Sequence, residues 1–223
     1  MGRLYKDRSS AGKILAARLK KFANDPNLLI LGLPRGGIPV AFEVAKELNA
    51  PLDVFIVRKL GTPGQPELAM GAIAGKGFIV LNKSIVNELG IPKQEILSVA
   101  RSEQKELDRR EALYRKNRPA YSISGKKVIL VDDGLATGAT MMVAVRAVRK
   151  QNPEKLIVAT PVADASICEK FKDQVDEMIC AYTPYPLSAI GMWYENFIQT
   201  TDAEVIKLLE LAHKNISEEK NAA

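Results

Sequence analysis

The stretch Val128-Ile129-Leu130-Val131-Asp132-Asp133-Gly134-Leu135-Ala136-Thr137-Gly138-Ala139-Thr140 decides how this chain is read. Its four leading apolar residues, three of them β-branched, match a buried parallel strand. Two adjacent carboxylates follow at the strand's carboxyl end. Small and hydroxyl residues come next. Met141 to Lys150 then carries helical periodicity through Met142, Val145, Ala147 and Val148. The order is strand, acidic pair, small-residue loop, helix. In open α/β sheets, ligands sit at the carboxyl ends of strands.

The loop has a definite chemistry. Gly138 permits a tight turn, and Ala136 and Ala139 leave room for a group to approach the main chain. The first N–H groups of the next helix lack intrahelical partners and carry the positive end of its dipole. Thr137 and Thr140 add hydroxyl donors, which completes a cup for a phosphate dianion. Asp132 and Asp133 are acceptors: they suit two vicinal hydroxyls or a hard cation. No structural partner for the pair is evident in the sequence. The expected ligand therefore joins a phosphate to a nearby diol, as in ribose 5-phosphate. A plain βα turn whose acids cap the helix is the blander alternative. A Walker A loop is excluded, because no Gly-Lys-Ser/Thr follows.

This stretch resembles the phosphoribosyl diphosphate signature of the type I phosphoribosyltransferases. Its Asp-Asp-Gly-Leu-Ala-Thr-Gly-Ala-Thr run is similar to that of adenine-type members. The resemblance covers residues 28 to 183 in the order of elements, and is motif-level at 33–37, 58–59 and 128–140. It implies a Mg²⁺-dependent pentosyltransferase. Such an enzyme moves the phosphoribosyl group of phosphoribosyl diphosphate to a nitrogen acceptor, typically a nucleobase, with release of pyrophosphate. Asp132 and Asp133 would orient the ribose diol and hold the metal, directly or through water. Ala136, Thr137, Gly138, Ala139 and Thr140 would take the 5-phosphate. One departure is Ala136, where some purine-specific relatives carry an Asp. Stand-alone relatives of unassigned acceptor share the ending that runs from Trp193 to Val205. The alternative on the same fold is a regulator that senses phosphoribosyl diphosphate. A dinucleotide-binding oxidoreductase is disfavoured, because no GxGxxG opens a helix.

Outward from the signature, strands and helices alternate. A helix capped by Ser9 or Ser10 runs to about Ala23. Strand Leu28–Leu33, loop Pro34–Gly37 and helix Ile38–Leu48 follow, then strand Val54–Val57. Gly61 to Pro66 reads as a mobile loop. Short strands at Glu67–Ala74 and Phe78–Leu81, joined at Gly75-Lys76-Gly77, precede a short helix at Ser84–Leu89 and a long charged one from Pro92 to Asn117. After the signature come strand Leu156–Thr160, a helix capped by Asp164, strand Met178–Ala181, an irregular stretch from Tyr182 to Met192, and a last helix capped by Thr201. The tail from Ile216 to Ala223 reads as frayed. This pattern predicts an α/β fold with an open, mainly parallel twisted sheet and helices on both faces. The expected organisation is one domain over 1–223, with a lid near 59–77 and, by the resemblance, a C-terminal hood near 183–215.

Three further elements complete the expected site. Pro34-Arg35-Gly36-Gly37 follows a strand and precedes a helix, so its backbone can meet an anion and Arg35 can fork onto phosphate oxygens. In the family this is the pyrophosphate loop and often holds a non-proline cis peptide, which is placed at Arg35–Gly36. Arg58 and Lys59 stand past a strand end and resemble the cation pair that serves pyrophosphate in adenine-type relatives. Glu67 is the carboxylate of the lid loop, a candidate general base or simply a surface residue. Tyr182, Tyr185, Trp193, Tyr194 and Phe197 cluster in a chain that is 6% aromatic. Trp193 and Tyr194 are the candidates for stacking an acceptor base.

Composition sets the remaining bounds. The chain has 223 residues, 47% of them hydrophobic, and a formal net charge of +6. That charge is compatible with polyanionic substrates and with nucleic acid, and a generally basic surface is the plainer reading for most of the lysines. Nucleic acid is not an expected partner, because the cations from Arg109 to Arg118 alternate with acids like a solvated helix face. Cys168 and Cys180 form neither a framework nor a CxxC pair and read as reduced, partly buried thiols. No signal peptide, N-terminal acylation motif or membrane-length apolar run is read, so a cytoplasmic protein is expected. The family makes a homodimer a standing expectation.

Overall fold

The computed structural model describes residues 4–75 and 77–222. Along the chain, α1 (Arg8–Arg18), β1 (Leu28–Gly32), α2 (Gly37–Leu48) and β2 (Leu52–Val54) come first. Three strands then form a unit of their own: β3 (Val57–Thr62), β4 (Gln65–Ala74) and β5 (Phe78–Leu81). Helices α3 (Lys83–Glu88) and α4 (Lys93–Arg115) return the chain to β6 (Lys127–Val131). It continues through α5 (Ala139–Arg149), β7 (Lys155–Val162), α6 (Ala165–Phe171), β8 (Glu177–Tyr182) and α7 (Asp202–Ala222).

The main sheet is parallel throughout, in the order β2-β1-β6-β7-β8. Its strands are apolar on both faces, and side chains alternate between them. Leu28, Ile30, Ile129, Val131, Ile157 and Ala159 cluster with α1, α2 and α7. Leu29, Leu31, Val128, Leu130, Leu156 and Val158 cluster with α5 and α6. The expected α/β architecture with helices on both faces is what forms.

Chain order decides where a ligand can enter. From β1 the chain crosses to β2 on one side. From β6 it crosses to β7 and β8 on the other. The order reverses between β1 and β6, so the loops after these two strands diverge and leave a crevice.

Several local expectations are corrected. The expected strand Val54–Val57 is two strands in two sheets: β2 ends at Val54, and Val57 opens β3. Phe55 and Ile56 are buried connectors; an apolar run reports burial, not which sheet a residue joins. Gly61–Pro66 is the tip of the antiparallel β3–β4 hairpin, with an irregular register at Leu60–Thr62 and Gly64 at φ +76°. The cap of α1 is Asp7, in a reciprocal box with Ser10, and α1 stops at Arg18 before a separate 3-10 turn at Lys20–Phe22. Asp164 and Thr201 cap as expected. The stretch read as a frayed tail is helical through Ala222. The cis peptide is Pro34–Arg35, one residue before the expected bond. The expectations that fall on Met1, Gly2, Lys76 and Ala223 lie outside the described residues.

Candidate active site

The two expected anion loops are the two that diverge at the reversal point. Pro34–Gly37 leaves β1, and Asp132–Thr140 leaves β6, its neighbour in the sheet. They touch. A side chain on Gly36 would meet the Asp133 carboxylate at 2.1 Å, and one on Gly37 would meet Val131 O at 2.8 Å and Asp132 Cα at 3.0 Å. Glycine at both positions is therefore a requirement of the close approach between the two loops.

Gly138 adopts φ +69° and precedes the first turn of α5. Ala136, Thr137, Ala139 and Thr140 are exposed around it. The Thr137 and Thr140 side chains and the start of α5 lie together at this exposed edge, where Ala139 N–H donates to Thr137 Oγ1 at 3.4 Å. The missing Cβ of Gly138 points the other way: it would meet Phe171 at 2.8 Å and Ile167 at 2.9 Å. The glycine makes the tight turn expected of it, and its lack of a side chain also lets α6 pack against the loop.

The acidic pair sits between the loops and is half-buried. Asp132 accepts a hydrogen bond from the Asp133 backbone N–H at 2.9 Å. Burial and the neighbouring Asp133 charge hold the Asp132 carboxyl well above the usual carboxylate range. Asp133 has a structural partner after all. Arg8 Nε donates to its Oδ2 at 2.7 Å, with both side chains largely enclosed at 12% and 13% exposure. Arg8 also lies 3.9 Å over the Phe197 ring and donates to the Ile198 carbonyl at 2.7 Å. One guanidinium thus ties α1, the acidic pair and the segment before α7 together. Nothing in the sequence around Arg8 marks a partner 125 positions away; an arginine after a capping box is ordinary.

The aromatic segment divides. Tyr194 is 1% exposed, packs against Tyr5 and Phe197, and donates to the Asp133 backbone carbonyl at 2.6 Å. Its ring is closed to a planar ligand, and it holds the acidic pair from behind. Tyr5 in turn donates to the Pro161 carbonyl, and its N–H donates to the Trp193 carbonyl. Trp193 stays half-buried and meets Tyr182 in a tilted ring contact, with centroids 5.0 Å apart at 51°.

The cations lie in three places. Arg35 reaches Asp202 at the start of α7, at 3.7 Å. Arg58 donates to Glu103 of α4 at 2.7 Å. Lys59 pairs with Glu67 at 3.1 Å, and the Glu67 side chain is 97% exposed. Arg58, Lys59, Thr62 and Glu67 line a cleft of about 710 Å³ against α4. Lys59 also borders a second cavity, of about 410 Å³, with Ala139 and Thr140. The hairpin therefore reaches the edge of the Ala136–Thr140 loop through Lys59, while Arg58 faces α4. Among the described residues, no group of three or more His, Cys, Asp or Glu is placed to hold a metal ion. The pair of adjacent aspartates is what the protein offers a cation, a donor set that suits Mg²⁺ arriving with substrate phosphates rather than an ion in an all-protein cage.

Comparison with known proteins agrees with this geometry. The family model of the phosphoribosyl transferase domain matches residues 6–183. A Mycobacterium tuberculosis protein, whose name assigns it to the phosphoribosyl transferases and gives no substrate, is 43% identical over 216 residues. The match takes in 97% of this chain and 48% of the relative, so the chain spans about half the length of the curated relatives it matches. The crystal structure of TT1426 from Thermus thermophilus is similar at 38% identity and a TM-score of 0.78, covering 92% of this chain and 97% of that one. A 74-residue stretch, 31% of this chain and 26% of the other, is 38% identical to a ribose-phosphate pyrophosphokinase of Pyrococcus furiosus. The fold and the paired loops define a phosphoribosyltransferase-like α/β protein. The chain belongs to the phosphoribosyl transferase family. Among the described residues, no helix is long and apolar enough to cross a membrane.

Proposed function

We propose that this protein transfers the phosphoribosyl group of phosphoribosyl diphosphate to a nitrogen acceptor, a nucleobase being the leading class, and releases pyrophosphate. The observation that carries the proposal is the pairing of two anion loops at the β1/β6 reversal with two carboxylates between them. A ligand with phosphate at both ends and a diol in the middle matches that layout.

In this reading, the α5 N-terminus with Thr137 and Thr140 takes the 5-phosphate. Asp132, together with Asp133 Oδ1, accepts from the ribose hydroxyls, while Arg8 occupies Asp133 Oδ2. Arg35 and the Gly36-Gly37 backbone take the diphosphate end. Lys59 and Arg58 add positive charge from the hairpin. Asp132 and Asp133 would also hold Mg²⁺, which when bound supplies charge neutralisation to the diphosphate. Departure of pyrophosphate leaves an oxocarbenium-like carbon. The protein's task is therefore to stabilise a leaving anion and exclude water, with no covalent nucleophile required. Trp193, half-buried beside Tyr182, is the aromatic candidate for an acceptor. Glu67 would act as a base only if the hairpin closed, since its carboxylate now faces solvent and Lys59. The 74-residue likeness to an enzyme named for ribose-phosphate pyrophosphokinase supports a shared sugar-phosphate chemistry. A cytoplasmic setting and a homodimer belong to the same proposal.

The test is incubation with phosphoribosyl diphosphate, Mg²⁺ and a panel of nucleobases, with pyrophosphate release as readout. Release that depends on one base is the expected result. Tight binding without turnover on any base would replace the enzyme by a sensor. Arg35→Ala divides the two ends of the site. It should weaken pyrophosphate by roughly ten- to a hundredfold and spare ribose 5-phosphate. Equal losses for both ligands would count against the assignment of Arg35.

A further inference from the structure

Cys168 on α6 and Cys180 on β8 have their sulfur atoms 2.7 Å apart. Both thiols are free and half-buried. Sheet register and helix packing bring them together. Cys180 pairs with Thr160 of β7, and α6 begins at the Asp164 cap just after β7 and lies back over the sheet. Ile167, Cys168 and Phe171 pack in one cluster with Met178 and Cys180. The contact is set by a helix and a strand whose positions the core fixes, not by a loop. They are the two cysteines of this sequence, so no third cysteine within it competes for either.

We propose that Cys168 and Cys180 form a reversible intramolecular disulfide when the protein meets a hydroperoxide. The Cys168 sulfur attacks one peroxide oxygen. The O–O bond breaks, an alcohol or water leaves, and Cys168 becomes a sulfenic acid. The Cys180 sulfur then attacks the Cys168 sulfur. The S–O bond breaks, water leaves, and the S–S bond forms. Two thiols give up two hydrogens and two electrons, and the hydroperoxide is reduced by the same two electrons. The thiol–thiol contact draws the Cys168 thiol below its ordinary pKa, and the balance of atoms and electrons is the same whichever sulfur attacks first.

The bond joins two parts of the candidate site. Ile167 and Phe171 of α6 lie directly behind Gly138 of the phosphate cup. Tyr182 at the end of β8 is in tilted ring contact with Trp193. Oxidation therefore ties the backing of the cup to the strand that carries the aromatic segment. The proposal itself needs no assumption about the reaction the protein catalyses.

Mass spectrometry of the whole wild-type chain is the direct test. The protein is treated with hydrogen peroxide, quenched, denatured and labelled with a maleimide. The expected product has lost two hydrogens, takes no label, stays monomeric on a non-reducing gel and yields one cross-linked peptide holding both cysteines. Dithiothreitol restores both labels. The oxidised form should melt several degrees higher, as closing a short loop constrains the unfolded chain. Cys168→Ser and Cys180→Ser should each abolish the two-hydrogen loss. Two maleimide labels after peroxide, added oxygen without a cross-link, or a disulfide between two chains would each overturn the proposal. All three outcomes are read on wild-type protein, so they do not depend on the variants folding.

Discussion

Asp133 and Lys59 are both charged members of the candidate site, yet one is built into the core and the other stands on a hairpin. Asp133 is held by Arg8 and by Tyr194 through its carbonyl, and its carboxylate lies against Gly36 of the facing loop. Lys59 is 46% exposed and meets a carboxylate that is almost wholly in solvent. Water screens the second pair, so it contributes little to stability and can exchange partners cheaply. The acidic side is therefore the fixed half, and the β3–β4 hairpin is the half whose exposed ion pair is free to exchange partners. The same contrast sorts the effects of substitutions.

Gly138→Val should do the most damage. Its Cβ would enter Phe171 and Ile167, and its φ of +69° is unfavourable for a branched residue. A loss of about 3 kcal/mol is expected, or roughly 6–12 °C in melting temperature. Thermal denaturation checks it. If the protein folds with wild-type stability and only phosphate binding is lost, the glycine faces the ligand and not α6.

Arg8→Ala should come next, at about 2 kcal/mol, because it strands the enclosed Asp133 carboxylate and strips a cation from Phe197. Chemical denaturation gives the stability change, and calorimetry with ribose 5-phosphate reads the site. Arg8→Lys keeps the charge and should recover part of both. Identical behaviour of the alanine and lysine variants would argue that the Arg8–Asp133 charge pair contributes nothing.

On the hairpin, Arg58→Ala should cost about 1 kcal/mol or less in stability while weakening pyrophosphate. A large melting shift with unchanged pyrophosphate affinity would make the Arg58–Glu103 pair structural and break the contrast between the halves.

Asp132→Asn should have the smallest effect, and one whose sign depends on pH. The folded carboxyl titrates above its unfolded value, so between those two values the native state holds more protons. Wild-type stability then falls as pH rises through that window. The amide cannot ionise and escapes the loss. The variant should therefore melt at or above wild type at neutral pH, with its advantage shrinking toward pH 4. An advantage that instead grows on acidification would mean that the carboxyl is stabilised in its charged form.

Much of this was legible along the chain. The β-branched run before Asp132, the glycine at 138 and the alternation of strand and helix specify a parallel sheet with a strand–loop–helix turn at the candidate site. Each is a local property: a two-sided apolar strand, a left-handed turn and a helix start need no knowledge of distant residues. Pro34–Gly37 was legible as a second loop for the same reason. Tertiary structure alone decided which loops meet. The order reversal at β1 and β6 places Gly36 against Asp133, and no spacing of residues reports strand order. It also split Val54–Val57 between two sheets, turned the tyrosine at 194 from a surface candidate into a buried support, brought Arg8 to the acidic pair, and set Cys168 against Cys180. Sequence periodicity records whether a residue is buried, while its contact partner is chosen by packing between elements that are far apart in the chain.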